Sequence, residues 1–215
     1  SIDRYGNEIV SLPDKVLQWE NKYLMDGSYR YSRPLSVELT AGTHEFTITV
    51  NEGTFLVGNI SLEAPKKIAE YTGSEVADGQ NLITIQGEDF SLKSDSFIRS
   101  ANVNNINLTP YNTYKRMINT LEGSSFDTAG QKVVWEFEID NDGWYEIGLK
   151  FCQNSASNKK VHRKIEIDGI VPFAEMEEVA FNQTSNATFK TEYLSNGKDN
   201  YKFYLTKGRH TIALT

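Results

Sequence analysis

Val133-Val134-Trp135-Glu136-Phe137-Glu138-Ile139 runs into Asp140-Asn141-Asp142-Gly143 and then, after Trp144, into Tyr145-Glu146-Ile147-Gly148-Leu149-Lys150-Phe151. The first run puts Val133, Trp135, Phe137 and Ile139 on one side of an extended chain and Glu136 and Glu138 on the other. Strict alternation of this kind is the mark of a half-buried strand, because successive side chains of a strand point to opposite faces. The acidic quartet is a turn, with Gly143 free to take positive φ. Tyr145, Ile147, Leu149 and Phe151 then resume the alternation, so the stretch predicts a β-hairpin.

Working outward, the same period recurs. Arg163-Lys164-Ile165-Glu166-Ile167 alternates and stops at Asp168-Gly169, a turn signal. Tyr201, Phe203 and Leu205 alternate up to Lys207-Gly208, and His210, Ile212 and Leu214 follow. Short strands at turn-marked intervals predict an all-β chain of antiparallel β-sandwich, jelly-roll-like modules. The one helical candidate is Pro65 to Tyr71, opening with proline at a first helical position.

An internal repeat sets the organisation. Leu35 to Thr49 matches Tyr201 to Thr215 in pattern, with Leu39 against Leu205, Gly42 against Gly208 and His44 against His210. Trp19 to Tyr31 broadly parallels Phe181 to Tyr193. Residues 1–64 therefore read as the C-terminal half of a first β-sandwich module, 65–82 as a linker with a short helix, and 83–215 as a second module. Half a sandwich leaves an apolar face uncovered. Either chain upstream of Ser1 completes it or it docks on the second module; both readings stand at this stage.

Composition excludes several functions. The 215 residues carry a net charge of −7, unsuited to the counterion release that drives nucleic-acid binding or to an anionic membrane. No apolar run approaches the roughly 18 residues of a membrane span. No signal peptide is legible and there is no initiating Met, so a mature or shortened chain is expected. Cys152 is the only cysteine, which excludes an internal disulfide and a C-x-x-C site; it reads as a strand residue. His44, His162 and His210 are scattered, and the recurrence of His44 and His210 after Gly-x points to a structural strand start rather than zinc. No nucleophile–base motif occurs, and the acidic pairs Glu136/Glu138 and Glu177/Glu178 read as solvated faces, so no enzyme is expected. Sequons at Asn59, Asn107, Asn182 and Asn186 read as chance in an Asn-rich chain.

One loop concentrates the groups that hold sugars. Pyranose C–H faces stack on aromatic rings, while amides and guanidinium groups bond the hydroxyls. Between Asn102 and Asn119 lie Asn104, Asn105, Asn107, Tyr111, Asn112, Tyr114 and Arg116. The candidate ligand-binding set is Tyr111, Asn112, Tyr114, Arg116 and Asn119, with Arg163 from the loop 154–163. The competing reading has Tyr111 and Tyr114 packing the loop onto the sandwich.

Ile85-Gln86-Gly87-Glu88-Asp89-Phe90, Gly143-Trp144-Tyr145 and Ile165-Glu166-Ile167-Asp168-Gly169 resemble carbohydrate-binding module families 6 and 35. Tyr5-Gly6-Asn7-Glu8-Ile9, Pro34 to Leu39, Gly42-Thr43-His44, Pro110-Tyr111-Asn112, Asn119-Thr120, Asp168 to Phe173 and Gly208-Arg209-His210 resemble, in order and spacing, the tandem N-terminal region of Gram-positive extracellular solute-binding lipoproteins of ABC importers. The resemblance implies a non-catalytic, cell-surface, carbohydrate-binding accessory region. Its partners would be an oligosaccharide or polysaccharide and further domains of the same protein, with no nucleic acid and no membrane insertion by this segment. It also implies a structural calcium with Glu88 and Asp89 as metal ligands. The alternative is a structural spacer or interaction domain without glycan binding.

Overall fold

The computed structural model describes all residues except 29, 32, 54–55, 74, 80, 155–157 and 186–187. The sequon Asn186-Ala187-Thr188 and part of the 154–163 loop thus lie outside the described residues. The chain divides into two units, Ser1–Trp19 with Ile68–Thr215, and Glu20–Lys67.

The first unit is all-β and antiparallel. Its strands are β1 (Leu92–Lys93), β2 (Ser100–Ala101), β3 (Thr120–Leu121), β4 (Val133–Ile139), β5 (Gly143–Glu146) and β6 (Gly148–Phe151), then β7 (Val161–Arg163), β8 (Ile165–Ile167), β9 (Val179–Phe181), β10 (Lys190–Tyr193), β11 (Lys202–Leu205) and β12 (Gly208–Leu214). Four form a sheet in the order β1-β4-β12-β8, with Trp135 opposite Ile212 and Ile212 opposite Ile167. The others pair as β5–β11, β6–β10, β2–β3 and β7–β9. Val133, Trp135, Ile139, Ile165, Ile167 and Ile212 from the four-stranded sheet meet Phe203, Leu205 and Leu194 in one buried cluster, with Tyr145 and Leu149 packed against it. Two layers sharing one apolar interior make a sandwich. Each such aliphatic side chain contributes up to about 1.5–3 kcal/mol by leaving water.

The alternation read in Val133–Ile139 holds: Val133, Trp135 and Ile139 are buried and both glutamates exposed. The expected hairpin does not form. Both edges of β4 are occupied, by β1 and β12, so the turn 140–142 carries the chain across to the other layer, where β5 pairs with β11. The step from β11 to β12 makes the same crossing, and Lys207 N donates to Asp142 Oδ1 at 2.5 Å, joining the two turns. The run after the turn also splits at Ile147, whose carbonyl accepts Leu194 N at 2.9 Å, so β5 and β6 have different partners.

Residues 65–71 are not helical. The backbone there bonds outward instead: Ala174 N donates to Ala69 O at 2.8 Å, and Tyr71 N donates to the Glu175 carboxylate at 3.0 Å. Tyr71 packs its ring 4.9 Å from those of Phe173 and Tyr201.

In the second unit no strand or helix occurs among the described residues. Its repeat segment nonetheless shares a local device with β11–β12. His44 Nε2 lies 2.8 Å from Thr40 O after Gly42 at φ 144°, and His210 Nε2 lies 2.8 Å from Thr206 O after Gly208 at φ 134°. Leu35, Val37, Phe46 and Ile48 are more than half exposed. In the first unit β12 is flanked on both edges by strands; the equivalent residues here have no ladder among the described residues, and the expected strand is not made.

Candidate functional site

The loop between β2 and β3 encloses an open trough of about 310 Å³, lined among others by Asn102, Asn104, Tyr111, Asn112, Tyr114 and Arg116. Its floor is built by amides rather than by apolar packing. Asn119 is buried: its Oδ1 accepts Val103 N at 2.9 Å, and its Nδ2 donates to Val103 O and Pro110 O at 3.0 Å. Asn102 Nδ2 donates to Met117 O at 2.6 Å. Asn112 Oδ1 accepts Tyr114 N at 2.9 Å and Lys115 N at 3.1 Å, turning the chain at the rim. Asx turns of this kind fix short loops without secondary structure. Lys150 from β6 adds a bond from its ammonium to Asn107 O.

The expected ligand residues separate by role. Tyr114 is 94% exposed and Tyr111 37%, so neither ring is spent on the core. Arg116 is also exposed. These three offer a ring face, a second ring and a guanidinium to solvent along one trough. Asn112 lines it while capping the turn. Asn119 lines it from below with its amide fully engaged. Arg163 is elsewhere: its guanidinium stacks on Phe126 at 4.0 Å and donates to Phe126 O, and burial lowers its pKa against the opposing pull of Asp127. Among the described residues lining the trough none is Asp or Glu.

Sequence reasoning missed Asn7, which also lines the trough. It arrives from a segment more than a hundred residues away, and nothing local to Tyr5-Gly6-Asn7-Glu8 signals that contact.

Glu88 lies in a turn at residues 87–88 and Asp89 follows it, ahead of β1. Glu88 Oε2 is buried with no hydrogen-bond partner among the described residues. Burial pushes the Glu88 carboxyl up to about 7, with a smaller contribution from the charges of Asp89 and Glu8 and an opposing one from a backbone hydrogen bond. Calcium takes six to eight oxygens. Among the described residues no three His, Cys, Asp or Glu side chains come together as a metal group. Calcium at Glu88 and Asp89 is thus not confirmed, and burial favours the protonated form of Glu88.

No protein-family model matches the chain, and no curated protein matches it. Among solved structures, it is similar to a Paenibacillus sp. cycloisomaltooligosaccharide glucanotransferase complexed with cycloisomaltoheptaose, at 18% identity and TM-score 0.43, over 69% of this chain and 17% of that one. A Podospora anserina GH26-CBM35 β-(1,4)-mannanase is similar at 13% identity and TM-score 0.38, over 61% and 23%. A family 35 carbohydrate-binding module from Clostridium thermocellum is similar at 20% identity and TM-score 0.29, over 40% and 65%. The chain spans less than two thirds of each of these chains.

Proposed function

We propose that the chain is a non-catalytic carbohydrate-binding region, an accessory β-sandwich of an extracellular solute-binding protein for sugar uptake. One observation carries the reading: Tyr111, Tyr114 and Arg116 stand exposed along a trough whose backbone is held by side-chain amides, that of Asn119 buried. Exposed rings on a fixed loop stack on sugar faces at low cost in conformational entropy, and amides and a guanidinium give direction to the hydroxyls. A glycosidase would need two carboxyls across the bound sugar, and among the described residues lining the trough none is Asp or Glu. The solute-binding context rests on the order and spacing of the short segments in both halves of the sequence. The net charge of −7 suits a neutral ligand rather than a polyanion.

Affinity electrophoresis and calorimetry with isomalto-, manno-, xylo- and cello-oligosaccharides test this. At least one series should bind, and Tyr114→Ala should weaken it by about tenfold, equivalent to roughly 1.4 kcal/mol. Equal affinity in Tyr111→Ala and Tyr114→Ala, or no binding in any series, would count against the reading.

A further inference from the structure

We propose that the N-terminal segment Asp3–Ile9 is a positioning strap for the trough, pinned through Asn7 and Glu8. The inference rests on the sugar-site reading of the trough. Three hydrogen bonds make the attachment. Glu8 N donates to Arg116 O at 2.9 Å, Arg116 N donates to Asn7 Oδ1 at 3.0 Å, and Ile118 N donates to Glu8 Oε2 at 2.6 Å. They fall on alternate residues of the loop, 116 and 118, as the bonds along one edge of a strand do. The stretch bearing Arg116 is thereby fixed from outside, while Asn112 and Asn119 fix it from within.

The strap is itself preorganised. Asp3 Oδ1 accepts Tyr5 N and Asn7 N, each at 2.8 Å, and Asn7 Nδ2 donates to Asp3 Oδ2 at 2.9 Å. Gly6, at φ 81°, lets the chain reverse. Both ends of the Asn7 amide are therefore used, one on Asp3 and one on Arg116. Asn7 and Glu8 act on the ligand through the loop rather than by touching it. Holding Arg116 and Tyr114 in place before a sugar arrives removes an ordering cost from binding.

The test uses the full chain with Glu8→Ala and Glu8→Gln, the second keeping an acceptor for Ile118 N. Amide hydrogen exchange is followed at residues 116 and 118, and affinity is measured for whichever oligosaccharide series binds the parent protein. Glu8→Ala should speed exchange at both amides about tenfold or more, leave β4 and β12 unchanged, and weaken the sugar by about three- to tenfold. Glu8→Gln should restore both. Unchanged exchange in Glu8→Ala would overturn the strap. So would faster exchange with unchanged affinity, since the segment would then not position the site. Failure of the parent protein to bind any series would instead overturn the sugar reading, and exchange at 116 and 118 alone would then decide whether the strap holds the loop.

Discussion

His210 is pulled in two directions. Burial lowers its pKa, but the Asp168 carboxylate 2.7 Å from Nδ1 and the Thr206 carbonyl raise it, and the net shift is upward. A raised folded pKa means stability that is complete below the unfolded value of about 6.5 and lost as pH rises through the folded value. Glu88 also holds its proton in the folded state, up to about 7. Its contribution falls as pH rises from the ordinary glutamate value of about 4.3 to about 7. Two windows of declining stability follow, and two variants separate them. Glu88→Gln should flatten the urea midpoint between pH 4.5 and 7 in calcium-free buffer. Asp168→Asn, which suits the positive φ of 52° there and keeps the acceptor for Thr211 N, should flatten the slope above pH 6.5. It should cost about 1.5–3 kcal/mol at low pH and less at high pH. Unchanged slopes in both variants would show that neither group titrates as placed. The strand-start role of His210 was legible in its recurrence after Gly-x; His44 shares the bond to the carbonyl four residues back but begins no strand. The roles of Asn119 and Arg163 were not, because sequence shows a polar side chain but not whether its bonds are already used inside the fold.

In the first unit, strands were legible where alternation was strict, and their faces were read correctly in β4 and β12; in the second unit the alternation of residues 35–49 makes no strand. Trp135→Ala should therefore cost about 3–5 kcal/mol, through a cavity and loss of the Trp135 Nε1 bond to Gly87 O at 3.2 Å, while Glu136→Ala should stay within about 0.5 kcal/mol. Equal costs would invert the assigned faces. Pairing was less legible, because a four-residue turn serves both a hairpin and a crossing between layers. What decides is which edges of β4 are free, and β1 and β12 lie 40 and 69 residues away in sequence (Lys93 to Val133, Ile139 to Gly208). The same holds for Pro65–Tyr71, where local propensity favoured a helical turn and backbone bonds to Ala174 and Glu175 won. At the turns, Gly208→Ala meets no side-chain obstruction but is strained at φ 134°. It should destabilise by roughly 1–2 kcal/mol, as read from the urea midpoint.

At the scale of the molecule, two units of unequal construction share the chain. The first has a two-layer core; the second has a repeat of the β11–β12 pattern without a sheet among its described residues. Backbone amides lacking a ladder exchange quickly. Amides of residues 35–49 should exchange orders of magnitude faster than those of 201–215, despite the matching sequence pattern. Comparable protection would mean that the second unit forms strands in solution. The repeat could be read from sequence, but its consequence could not, because a strand pattern specifies what a segment can pair with and not that a partner is present. The trough was legible as a cluster of residue types in one loop; its support by a distant segment was not. Chemical-shift mapping of the whole chain during titration with the oligosaccharide series tests the central claim most directly. Saturable shifts should concentrate at residues 102–119, be strongest at Tyr111, Tyr114 and Arg116, and reach Asn7. Saturable shifts centred on another surface, such as the cleft at Tyr71 and Lys202, or no shifts at any sugar concentration, would contradict it.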